Sequence, residues 1–184
     1  MKTYLIYGLI ISLIIAGLLG IGVLLSGKFE ELQIRILFTT LAFTVYSIIG
    51  LCCNSIIKSQ YSVFGKLGLG VTMFALLYAV VTTWVEVDDF IQLRFSLLII
   101  SLCFAHCSLM LRVKTYGSLV SVSRTVSIFA SVLATMIAVT ILSSSDIEAG
   151  PFKLLGVVSI VGVIATIIAP TLAFTISKTI KKDV

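Results

Sequence analysis

The chain has 184 residues, 59% of them hydrophobic and only 11% charged, with a net charge of +5. A mean hydropathy of +1.22 excludes an ordinary water-soluble domain and makes the lipid bilayer the solvent. The excess positive charge sits on connections too short to build a groove-reading element, so nucleic acid is not an expected partner.

A spanning helix needs about 20 apolar residues at 1.5 Å rise each. The sequence offers six such stretches, which predicts an all-α integral membrane protein with 1–184 as a single domain. The first stretch, 4–26, follows Lys2 like a signal peptide, but its apolar run is too long and lacks a small-x-small cleavage site. It is therefore read as a retained span. Ser12, Ala16 and Gly20 recur on it at spacing four, a pattern that lets two helix backbones approach closely.

The second stretch, 34–57, carries Tyr46, Cys52, Cys53 and Asn54 near its end. A short basic connection over 58–66 follows, with Tyr61 and Phe64 suited to the headgroup region. The third stretch, 67–87, ends with Trp84 beside Glu86, Asp88 and Asp89. Those acids lack the glycine-punctuated spacing of a calcium loop and predict a solvated negative edge.

The fourth stretch, 94–113, contains the motif CFAHC with the one histidine of the chain, His106. Cys103, His106 and Cys107 stand three and four residues apart, as a helix would present soft ligands to a metal or a redox site. Cys52 and Cys53 could assist, because the second and fourth stretches run the same way. Equally, membrane cysteines serve as small packing residues, and a lone histidine can satisfy itself against a serine or a backbone carbonyl.

The connection over 112–124 is predicted to lie partly along the membrane surface. The fifth stretch, 125–144, carries Ser127, Ser131 and a second close-packing stripe of Ala130, Ala134 and Ala138. The sixth, 152–177, contains Pro170, which predicts a kink.

An acid, four residues and a base occur three times at a spacing of 59 residues: Glu30 with Arg35, Asp89 with Arg94, and Glu148 with Lys153. This predicts three tandem helical hairpins, 4–57, 67–113 and 125–177, with pseudo-threefold symmetry about the membrane normal. The bases either snorkel to lipid phosphates and pair with nearby acids, or the three corners converge on an outward site for an ion, ligand or partner.

With alternate connections on alternate sides, nine of the thirteen bases fall on the side of the termini. The bias predicts cytoplasmic N- and C-termini in a bacterial cytoplasmic (inner) membrane, with anionic headgroups as lipid partners.

The sequence lacks a phosphate-binding loop, HExxH and GxSxG, so it is not read as an enzyme and no cofactor is expected. The expected function is a non-enzymatic accessory or scaffolding subunit of a membrane assembly, with a protein partner or a homo-oligomer. The alternative is a small channel or carrier along the pseudo-threefold axis, and a less favoured one is a metal or redox protein at Cys103, His106 and Cys107.

Overall fold

The computed structural model describes residues 31–85, 91–113, 117–143 and 149–180, with side chains over 153–175 in the last segment, and isolated helical positions between 7 and 22. Five helices follow in order: α1 Glu31–Asn54, α2 Ser62–Trp84, α3 Ile91–Arg112, α4 Ser118–Ser143 and α5 Ala149–Ile180. All five are long and apolar enough to cross a bilayer, so the chain reads as an all-helical, multi-pass membrane protein. In the first apolar stretch Tyr7, Ile11, Ile14 and Leu18 are helical and exposed. Ser12, Ala16 and Gly20, like Glu30, Glu86, Asp88, Asp89 and Glu148, lie outside the described residues.

Two expected boundaries are corrected. The connection after α1 closes at Tyr61, so Val63 to Lys66 belong to α2, not to a loop. Ile56, 1% exposed, anchors the turn, and Ser59 donates its amide to the Ile56 carbonyl at 2.9 Å. Similarly α4 begins at Ser118, a full two turns before the expected start, so 118–124 is helix and not a surface segment. Val120 is fully buried there, and Ser123 donates across to the Ala165 carbonyl of α5 at 3.0 Å. Pro170 sits within a continuous α5.

Contacts fix the directions of the helices. Trp84 meets Thr39 at one end of the α1/α2 pair, and Gly65 meets Cys53 at the other, so the two helices are antiparallel. Ser127 beside Thr166 and Ala130 beside Gly162 make α4 and α5 antiparallel. Between α1 and α3 the order is parallel: Arg94 lies over the ring of Phe38, and Cys53 and Phe104 converge on Gly68.

Within a bilayer there is little hydrophobic drive between helices, so close packing must hold them. On α2 the buried residues are Gly65, Gly68, Thr72, Ala75 and Ala79, a continuous stripe of small side chains. A Cβ on Gly68 would lie 2.9 Å from Cys53 Sγ and 3.2 Å from Phe104 Cδ1, so the α1, α2 and α3 surfaces touch there with no spare room. Tyr46, Ile49 and Cys53 of α1 complete this core with Ala75, Ala79 and Ala105. Large apolar residues such as Phe129, Ile160 and Phe174 face outward, as a lipid-facing surface requires.

Hydroxyls within the spans are largely satisfied by their own helix. Thr72 donates to the Gly68 carbonyl at 2.7 Å and Ser101 to the Leu97 carbonyl at 2.8 Å. Such local bonds let serine and threonine occupy apolar surroundings with no partner on another helix.

Candidate functional site: a polar cluster opening on an apolar cleft

α3 contacts both the α1/α2 pair and α4, and α4 packs in turn on α5. Where α1, α3, α4 and α5 meet, small side chains leave the space between them unfilled. Ala105, Ala130, Ala134, Ala138 and Gly162 line a cleft of about 680 Å³ together with Leu, Ile and Val side chains, and Ser131, Thr135 and Ser159 add hydroxyl residues along its length. Of the expected packing stripe on α4, Ala130 is buried against Gly162, whereas Ala134 and Ala138 are only half-buried and line this cleft.

His106 reaches into the cleft wall from α3. It stands six residues before Arg112, about 9 Å along the helix, and so slightly nearer the middle of the span than its end. Its Nε2 lies 3.0 Å from Ser127 Oγ on α4 and 3.4 Å from Thr166 Oγ1 on α5. Ser127 Oγ and Thr166 Oγ1 are 2.8 Å apart, and Thr166 donates to the Gly162 carbonyl at 2.6 Å.

One proton order satisfies every contact. Thr166 has its hydrogen committed to Gly162, so the hydrogen between the two hydroxyls is that of Ser127. Ser127 must then accept from His106, which places the imidazole hydrogen on Nε2. Any other order sets two oxygen lone pairs against each other at 2.6 or 2.8 Å. Pro170 adds a further feature: it has no N–H to offer the carbonyl four residues back, which is that of Thr166.

No protein-family model, no curated protein and no solved structure matches this chain. The site is therefore read from its own geometry.

Cys103 and His106 share the cleft, and Ser131 donates to Cys103 Sγ at 3.6 Å. Cys107 is 2% exposed and does not line the cleft. Among the described residues no group of three or more His, Cys, Asp or Glu side chains gathers as a metal ion would need. Cys52 joins the cleft from α1, while Cys53 is fully buried against α2. The histidine thus meets a serine and a threonine instead of a ring of sulfur ligands. Sequence reasoning named Ser127 only for packing and missed Thr166. No local signal distinguished either one, because α4 also carries Ser131, Thr135 and Thr140 and α5 also carries Ser159, Thr171 and Thr175.

The charged corners are seen through their bases. Arg35 pairs with Glu31 at 2.5 Å and donates to the Trp84 carbonyl at 3.1 Å. Glu31, four residues away, lies about 40° round the helix from Arg35, within easy reach of its guanidinium. Trp84 returns a bond from Nε1 to Thr39 Oγ1 at 3.2 Å, which ties the start of α1 to the end of α2. Arg94 lies 5.9 Å from the Phe38 ring centre, a cation–π contact between α3 and α1. Lys153 is exposed at the start of α5.

Proposed function

We propose that this protein is a non-enzymatic membrane protein that acts by binding within the bilayer, as an accessory or scaffolding subunit of a larger assembly. The observation that supports this reading is the cleft: a space of about 680 Å³ lined mostly by alanine and aliphatic side chains, in the size range of ligand pockets. Such walls favour a molecule that already lives in the membrane. The exposed outer faces of α4 and α5 supply lipid or subunit contact.

We also propose that 4–26 forms a sixth span, completing three hairpins in pseudo-threefold order. Both termini are then cytoplasmic in a bacterial inner membrane. The 59-residue spacing, the parallel course of α1 and α3, and the uneven distribution of Lys and Arg support this arrangement.

Extraction of the protein from its native membrane into polymer-bounded discs, followed by intact mass measurement, tests the reading. A stoichiometric partner or a homo-oligomer is expected. A bare 19.9 kDa monomer carrying no bound molecule would overturn it.

A further inference from the structure

The cleft is asymmetric along its length. His106, Ser127 and Thr166 stand at one end, and the walls of α4 and α5 continue from them to Ala138 and Leu155, eleven residues or about 16 Å away. The imidazole stands at one end only, and the walls beyond it are mostly Ala, Leu, Ile and Val, broken by Ser131, whose hydroxyl meets Cys103, Thr135, whose hydroxyl bonds its own helix, and Ser159.

The polar end offers an acceptor. Nε2 of His106 is occupied by Ser127, and Nδ1 has no hydrogen-bond partner among the described residues. Among the described residues the enclosed side-chain atoms that lack a partner are Tyr78 Oη and Ser108 Oγ, so Nδ1 is not enclosed, and His106 lines the cleft. With the hydrogen on Nε2, Nδ1 of the neutral ring can only accept. Ser127 and Thr166 have no hydrogen to spare, because each donates within the cluster.

With the Ser127 and Thr166 hydrogens committed within the cluster, the acceptor at Nδ1 selects a ligand that brings a hydrogen. A cation would bring one too, but no Asp or Glu lines the cleft, and an unpaired charge in an apolar membrane site is costly. A neutral hydroxyl fits this polarity.

We propose that the cleft binds a lipophilic alcohol, its hydroxyl donating to His106 Nδ1 and its tail lying along Ala130, Ala134 and Ala138. This rests on the binding function proposed above and names the ligand class of that same cleft. A long-chain alcohol and a phenol with an apolar tail share this chemistry, and the site recognises the hydroxyl in either.

The test uses the wild-type protein in phosphatidylcholine nanodiscs, a lipid without a free hydroxyl. Two photoaffinity probes are compared: a long-chain primary alcohol with a diazirine in its tail, and its O-methyl ether. The alcohol is expected to label residues of α3, α4 and α5 that line the cleft. The ether, which keeps the tail but has no hydrogen to donate, is expected to label them about tenfold less, the effect of one lost hydrogen bond in an apolar site. His106→Phe should bring the alcohol down to the ether's level, and Ala134→Trp, which fills the tail region and leaves the hydrogen bonds alone, should abolish labelling by both. Equal labelling of the cleft by alcohol and ether would overturn the hydroxyl assignment and leave the binding function standing. Labelling by neither probe in the cleft would overturn both.

Discussion

Ser127 Oγ and His106 Nε2 meet at 3.0 Å between α4 and α3, where lipid and not water surrounds the helices. The bond joins two spans that otherwise touch mainly through small apolar groups. Interhelical hydrogen bonds in membranes average about 0.6 kcal/mol and reach about 1.7, less than a buried bond in water-soluble proteins would suggest. Ser127→Ala should therefore destabilise the bundle by about 1 kcal/mol in mixed-micelle unfolding. Thr166→Val removes the next acceptor in the same chain, so the double variant should cost clearly less than the two singles together. Strict additivity would mean that the three side chains do not act as a unit.

Glycine substitutions on α2 separate packing from helix propensity. A Cβ on Gly65 would lie 2.9 Å from the Cys53 carbonyl oxygen, a backbone atom that cannot swing aside. On Gly70 a Cβ meets nothing within 4 Å. Gly65→Ala is expected to destabilise by about 1–3 kcal/mol through overpacking. Gly70→Ala should be neutral or stabilising by up to about 1 kcal/mol, as alanine is the better helix former. Equal effects at the two positions would contradict the close α1/α2 crossing.

The sole tryptophan reports on one corner of the bundle. Thr39→Val removes the acceptor of the Trp84 indole N–H and should shift the intrinsic emission. Thr83→Val, which removes a bond within α2 to the Ala79 carbonyl, should leave the emission unchanged. An unmoved spectrum in the Thr39 variant would mean that α1 and α2 do not meet at this end.

The antiparallel α4/α5 pair brings Ala130 Cβ to 3.4 Å from where a Cβ of Gly162 would stand, at the lower edge of disulfide geometry. In a cysteine-free background, Ala130→Cys with Gly162→Cys should oxidise readily. Ala130→Cys with Gly156→Cys, nearly two turns away along α5, should not. Crosslinking in the second pair alone would require a different register.

The five spans α1 to α5 were legible in the sequence because length and hydropathy are enough to mark them. The packing faces were less so. Spacing four singled out Ala130, Ala134 and Ala138, but the buried stripe of α2 alternates steps of three and four through Gly65, Gly68, Thr72, Ala75 and Ala79. Segment 118–124 resembled a loop because of Gly117 and its serines. In a helix those hydroxyls bond carbonyls instead, as Thr125 does with Ser121 at 3.0 Å and Ser123 with Ala165. At the site, CFAHC was visible, but the histidine's partners lie on α4 and α5, 21 and 60 residues further along the chain, and local spacing carries no trace of them.

The account rests on the cleft, and the four native thiols test it directly. Cys52 and Cys103 line the cleft and are half-buried, whereas Cys53 and Cys107 are 0% and 2% exposed. Wild-type protein in nanodiscs is treated with a lipid-soluble maleimide, and the order of modification is read by peptide mass spectrometry. Modification of Cys52 and Cys103 well ahead of Cys53 and Cys107 is the predicted result. Modification of Cys53 or Cys107 as fast as the cleft pair would contradict the cleft and the binding function built on it.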